Sequence, residues 1–350
     1  MGNSEGGLCC GKRDGEDQDQ PPQYSRRRKM NDEWGGKFGP RRQQAEEVRE
    51  FSFQNGGWIE RKAFTVSMAV DQMRQHPGMV RELYLANNMP LLTAGPRTLK
   101  VDCTTLTRQE AQSLAGELQK QPALRVMLAQ GLEVSDHAAY CLVGALDGAK
   151  AVALEKLSWL EMDLSGPLEK AMAGNLAANG WLQELSLANC TISDNGAAGL
   201  AQSLRINRSL EVLDFDAVKI GDEGAVRLAE ALYFNKTLQR LCLKDNNISD
   251  RAAKSIADAL RVNRGLRRLD LRGNVISDAG VEVIGDALLT NLTLQRLDLR
   301  GNKVSEAGGN AMSRRLRGHP TLQKVYLWEE VGISETFKNA DSSNFAPAGG

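Results

Sequence analysis

Large aliphatic residues recur along this chain as a short alternation followed by a longer, helix-like spacing, and the whole pattern restarts at a fixed interval. Three successive copies read Leu238-Gln-Arg-Leu241-Cys-Leu243 with Asn246 and Ile248, Leu266-Arg-Arg-Leu269-Asp-Leu271 with Asn274 and Ile276, and Leu294-Gln-Arg-Leu297-Asp-Leu299 with Asn302 and Val304. The first six residues of each unit alternate as a strand does. A Ser-Asp pair follows, as in Ser249-Asp250, and then a stripe such as Ala253, Ile256 and Leu260 that buries one helical face. Ser135-Asp136, Ser193-Asp194 and Ser277-Asp278 repeat the arrangement, and their short oxygens suit the free amides of a helix start. Units begin at Pro96, Leu124, Leu154, Leu182, Leu210, Leu238, Leu266, Leu294 and Leu322. Only the step from Leu124 to Leu154 departs from the common interval, and it is slightly longer. A strand and a helix per unit, each unable to bury its leucines alone, predict a stacked α/β solenoid.

The flanks differ from the repeats. Residues 1–50 are rich in Gly, Gln, Asp and Arg and poor in aliphatics, which predicts disorder. Residues 51–95 carry Phe51, Phe53, Trp58, Val66, Val70 and Met73, then Leu83 and Leu85. They read as a helix entering a degenerate first repeat that caps the core. The repeat domain spans 96–337, and residues 338–350 return to a loose polar tail.

The Leu-x-x-Leu-x-Leu-x-x-Asn pattern of residues 96–337 resembles the ribonuclease-inhibitor-like subclass of leucine-rich repeats, found also in NOD-like receptors and the Ran GTPase-activating protein. The resemblance implies a curved horseshoe, with parallel strands on the concave face and helices on the convex one. The loop Asn stands at Asn246, Asn274 and Asn302, whereas Leu132, Met162, Cys190 and Val218 replace it in other units. An architecture of this kind names no ligand.

Composition narrows the function classes. The chain has 350 residues, 41% of them hydrophobic, with 44 basic and 44 acidic residues, so no global charge draws it to nucleic acid or membrane. The start has no apolar stretch, and no run approaches the roughly 18 residues that span a bilayer. The expectation is a cytoplasmic protein. The cysteines at 103, 141, 190 and 242 form no disulfide or metal spacing, and Cys242 is read as facing outward between two cations. Five N-x-S/T sequons, at Asn189, Asn207, Asn235, Asn247 and Asn291, read as by-products of an Asn-rich repeat.

Zero net charge conceals a bipolar surface. Outward columns of the stacked strands place Arg240, Arg268, Arg296 and Lys324 in one row and Lys244, Arg272 and Arg300 in another, edged by Tyr326 and Trp328. The middle repeats present Glu155, Glu184, Glu211, Asp214 and Asp216. Repeat consensus would have Asp270 and Asp298 neutralise Arg272 and Arg300 across strands; the partner reading instead counts both arginines, with Lys244, Tyr326 and Trp328, in the binding face. The first row has no such account, and it points to an acidic protein partner on the concave face. Interleaved aromatics for stacking bases are missing, which argues against nucleic acid.

Gly2 followed by small residues, with Cys9 and Cys10 just beyond, fits N-terminal myristoylation and palmitoylation in part, because Gly6 stands where Ser or Thr is preferred. One acyl chain binds a membrane only marginally, and a second makes anchoring stable. The expected location is therefore the cytosolic face of a membrane, with a soluble cytoplasmic scaffold as the alternative. Catalytic signals are poor. His76, His137 and His319 have no metal-ligand spacing, no phosphate-binding loop occurs, and neither cofactor nor small-molecule substrate is indicated. The reading is a non-enzymatic scaffold, with a GTPase-activating accessory as the competing class.

Overall fold

The computed structural model describes residues 51–54, 57–60, 65–86, 97–145, 154–328 and 332–333. A hairpin of β1 (Phe51–Gln54) and β2 (Gly57–Glu60) precedes α1 (Val66–Gln75), β3 (Glu82–Ala86), β4 (Thr98–Asp102), β5 (Thr105–Leu106) and α2 (Arg108–Leu118). Then come β6 (Val126–Gln130), β7 (Glu133–Val134), α3 (Asp136–Ala145), β8 (Lys156–Leu160), α4 (Pro167–Ala178), β9 (Glu184–Ser186) and α5 (Asp194–Ile206). The regular part continues with β10 (Val212–Asp214), α6 (Asp222–Phe234), β11 (Arg240–Cys242), α7 (Asp250–Val262), β12 (Arg268–Asp270) and α8 (Asp278–Leu288). It closes with β13 (Arg296–Asp298), α9 (Glu306–Arg315), β14 (Lys324–Tyr326) and β15 (Gly332–Ile333).

From β8 to β14 neighbouring strands are parallel and pair at the period of the sequence repeat, Leu213 opposite Leu241, then Leu269, then Leu297. The helices stack in the same order on the other layer, and the leucines between the layers are essentially inaccessible. The chain is an α/β solenoid with one continuous core.

The sheet departs from chain order at its N-terminal end. Chain order would put β4 between β3 and β6, but β3 pairs with both, and β4 lies at the sheet edge. The strand of the degenerate segment thus occupies a regular rung, and the first strand of the 96–337 repeats is the outer one. The spacing explains this. The stretch from Glu82 to its partner Thr98 is too short to hold a regular strand-plus-helix unit. Instead α1 leads into β3, and α2 leads from β4 back over it into β6.

Each unit is tied to the next by side chains as well as by the sheet. Ser193, Ser249 and Ser277 cap their helices as the Ser-Asp pattern predicts, and Ser305, followed by Glu306, caps α9 in the same way. The Asp after each cap has a further role. Asp222 accepts from the amide and hydroxyl of Ser249, at 2.7 and 2.5 Å, and Asp250 and Asp278 do the same for Ser277 and Ser305. At the other helix end, the amide nitrogen of Asn263 donates to the carbonyls of Leu232 and Asn235, while its oxygen accepts from Gly265 and Leu266. Asn207, Asn235 and Asn291 repeat this at the same place in their own units, all of them buried. In the last unit His319 substitutes, with Nε2 2.8 Å from the Leu288 carbonyl and Nδ1 accepting from Leu322. Three of the five sequons are thus occupied as structural bonds.

The turn after each strand requires a left-handed residue. Asn189, Ala217, Asp245, Gly273 and Gly301 hold it with φ between 53 and 67°. Only the last two of these units use glycine, which adopts that conformation without steric cost.

Candidate functional site

Parallel pairing in register converts the sequence row into a physical one. Arg240, Arg268, Arg296 and Lys324 are the first residues of β11 to β14 and lie directly opposite one another. Adjacent strands are about 4.8 Å apart, so four cations share one half-buried column. Burial and the flanking Arg296 and Arg240 charges lower the pKa of Arg268 from its ordinary value. A column that repels itself gains from an anion laid along it.

The second row behaves differently. The Arg272 guanidinium folds back on Asp270, with Nε 3.0–3.1 Å and Nη2 2.7 Å from its carboxylate, and reaches Asp298 at 3.4 Å. Arg300 grips Asp298 in the same way at 2.5–3.1 Å. All four side chains are at most a tenth exposed. Burial pushes the Asp298 carboxyl up to about 6, although Arg300 and Arg272 oppose the shift. Burial works against Arg272 too, yet the Asp270 charge holds its pKa above the ordinary value. Arg272 and Arg300 were expected to offer charge to a partner; the structure satisfies most of it internally.

The aromatic edge is also partly internal. Tyr326 is buried beneath Arg300, whose guanidinium carbon lies 4.8 Å from the ring centre. Trp328 packs on the core, and its indole lies so close to Gly309 of α9 that a Cβ there would fall 2.2 Å from the ring. Lys244 bonds Asp245 at 3.0 Å and stands 3.9 Å from Asp216. Arg240, Arg268, Arg296 and Lys324, the first residues of their strands, are by comparison only half-buried. Gly2, Cys9 and Cys10 lie outside the described residues.

The acidic middle is weaker than the sequence suggests. Glu155 meets Arg125 at 3.3 Å, and Glu184 meets Lys156 at 3.0 Å. Asp214 accepts from the Ser186 hydroxyl and the Asp216 amide. Burial raises the pKa of Asp214, and burial together with Asp214 itself raises that of Asp216 well above the carboxylate range. Among the described residues Asp214, Asp216 and Cys242 bring three potential ligand atoms within 4.8 Å of one another, but the Lys244 ammonium already stands beside Asp216. Cys242 faces this cluster and is buried, not exposed between cations, and burial lifts its thiol well above the usual range. It is not an activated nucleophile. Burial likewise pushes Cys103 up to about 11 and Cys190 to about 12.

A family model described as "Leucine Rich repeat" matches residues 178–201, 234–257, 262–285 and 290–313. The chain carries leucine-rich repeats at these four places. Each match begins near the end of one helix and runs through the following strand into the next helix, and three of them hold Asn235, Asn263 and Asn291. A comparison with curated proteins finds no match. Among solved structures, leiomodin-1 actin-binding site 2 is similar over 43% of this chain and 87% of its own, with 22% identity and a TM-score of 0.38.

Sequence reasoning misses the two ladders that join the repeats. A signal for one of them exists: Asn at 207, 235, 263 and 291 stands three residues before each repeat leucine. Three of these asparagines also head sequons, and that second pattern masks the first.

Proposed function

We propose that this protein is a non-enzymatic interaction scaffold that holds an acidic protein partner on the concave column of Arg240, Arg268, Arg296 and Lys324. The subclass assigned by resemblance, the ribonuclease-inhibitor-like one, belongs to this proposal. The observation that carries it is the strand register, which stacks four cations without an intervening carboxylate in the same column. Repeat consensus explains Arg272 and Arg300 through Asp270 and Asp298, but it does not explain that column. Cationic side chains on a solvated strand are ordinarily alternated with acids across the ladder, since like charges directly opposite are destabilising. A GTPase-activating accessory would need an arginine on a mobile rim. Arg272 and Arg300 are held against the strands, and the scaffold is preferred.

Charge reversal tests the face. Arg268→Glu with Arg296→Glu should leave the thermal midpoint within a few degrees of wild type and abolish capture of the main interactor by the purified protein. Capture by wild type should weaken with rising salt, since exposed charges are screened beyond about 8 Å at physiological ionic strength. An unchanged set of captured proteins from the folded double variant would refute the column as the binding face.

The scaffold is further proposed to be anchored on the cytosolic face of a membrane through acylated Gly2, Cys9 and Cys10. Among the described residues no helix is long and apolar enough to cross a membrane. Gly2→Ala should move the protein from the membrane to the supernatant fraction in its own cells. The double change of Cys9 and Cys10 to Ser should leave weak, reversible binding. A wild-type protein found wholly in the supernatant with an unmodified Gly2 would end the anchoring proposal.

A further inference from the structure

All repeat helices run the same way, so one edge of the solenoid collects their starts and the other their ends. The start edge is acidic, with Asp194, Asp222, Asp250, Asp278 and Glu306 each opening a helix. The end edge carries an unexplained feature. Ile206, Phe234 and Val262 are the last residues of α5, α6 and α7, and each faces solvent. Leu289 and Leu292 continue the row after α8, and Trp181 precedes it after α4; the six are 46–62% exposed. A single exposed leucine is ordinary, but Ile206, Phe234 and Val262 stand at one position in three successive units, and Trp181, Leu289 and Leu292 lie within three residues of it in the flanking units. The core does not use them, nor does the concave face.

Basic residues interleave this row. Arg208, Lys236 and Arg264 each stand two residues beyond an apolar member, and with Arg267 and Glu211 they line a shallow groove of about 220 Å³. Helix electrostatics accounts for part of this. Each of the three bonds the last carbonyls of its own helix, as Arg264 does those of Arg261 and Asn263, and cations suit a helix C-terminus. That account leaves the apolar row unexplained, apart from Phe234, over whose ring the Arg205 guanidinium lies at 4.3 Å. It also leaves crowded charge, because burial and then Arg264 press the Lys236 ammonium below its ordinary pKa.

We infer that this helix-end edge is a docking surface for an anionic lipid bilayer. Protruding aliphatic and aromatic tips enter the headgroup boundary, and the interleaved Arg and Lys meet lipid phosphates, the combination that holds amphipathic surfaces at membrane interfaces. The groove beside Arg208, Lys236 and Arg264 is open, as is a second of about 320 Å³ that Ile206 borders, so an extended, negatively charged occupant fits this edge better than a single anchoring side chain. Bound this way, the solenoid stands on its edge with the concave face open to the side. The inference is independent of acylation, because it uses only residues of the repeats.

The test uses the full chain produced without acyltransferases, floated with phosphatidylcholine vesicles that contain or lack phosphatidylserine. Wild type should float only with the phosphatidylserine vesicles. Phe234→Ser with Val262→Ser and Leu292→Ser should lower the bound fraction at least about tenfold, since each loses buried apolar area in the interface, and its thermal midpoint should match wild type. Arg268→Glu with Arg296→Glu should float as wild type does, which separates this edge from the concave column. Equal flotation with neutral vesicles, undiminished flotation of the folded triple variant, or loss of flotation in the concave variant would each overturn the inference. So would a triple variant that floats normally but loses a soluble protein partner.

Discussion

Replacing Asn263 with Ala should cost about 3–5 kcal/mol of unfolding free energy, read from the urea midpoint at unchanged slope, because each orphaned backbone group costs about 1–3 kcal/mol. Four such groups depend on this one side chain: the carbonyls of Leu232 and Asn235, and the amides of Gly265 and Leu266. Asn263 is fully buried, so water does not replace the lost partners. Asn263→Asp should be nearly as harmful, because it keeps the acceptor but loses both donors and buries a carboxylate. Asn247→Ala is the control: this residue is exposed at a sequon of the same repeat, and it should shift stability by no more than about 0.5 kcal/mol. A loss below about 1 kcal/mol for Asn263→Ala would mean that the ladder merely decorates contacts made by the leucines.

Asp298→Ala should be comparably damaging, by about 3–5 kcal/mol, as expected when one partner of a buried ion pair is removed. Asp298 is fully buried and answers two guanidiniums, Arg300 directly and Arg272 at 3.4 Å. Without it, Arg300 keeps its charge among apolar surroundings and above the Tyr326 ring. Arg300→Met should be milder than Asp298→Ala, since it removes the charge and retains the packing of the stem. The comparison is made by thermal and urea unfolding of both variants. If the two losses are equal, or if Asp298→Ala leaves stability intact while partner capture falls, then Arg300 serves the binding face and not the sheet.

Much of the architecture could be read directly because its physics is local and periodic. Leu241, Leu269 and Leu297 recur at a constant interval, and that interval alone determines which residues oppose one another across strands. The cation column followed from the same arithmetic. Depth was harder to read. Arg272 and Arg300 share the polar spacing of solvated consensus residues, and only the three-dimensional packing shows them folded onto Asp270 and Asp298. Cys242 lies between Arg240 and Lys244 in sequence, yet its place on the strand beside Asp214 and Asp216 encloses it. The order of β3 and β4 was missed, and its one trace in the sequence is the short stretch between Glu82 and Thr98. Leu83-Tyr-Leu85 and Leu99-Lys-Val101 are equivalent strand patterns, and hydrophobic periodicity carries no information about which lies outside. The asparagine ladder was hidden by a rival pattern, since the Ser or Thr that follows three of its members makes them sequons.

The exchanged order of β3 and β4 bears on how the molecule folds. Between β8 and β14 every strand finds its partner in the adjacent repeat, so structure can nucleate anywhere in that region and spread one unit at a time. The N-terminal end breaks this regularity. There Glu82 of β3 must wait for Val126 of β6, while the chain in between makes β4 on the far side and crosses back through α2. Closing that longer loop adds entropic cost, and contacts of higher sequence separation form more slowly. During synthesis β3 leaves the ribosome with neither edge covered and stays so until β4 and β6 follow. The regular units can assemble by propagation, whereas β3, β4 and β6 must assemble together.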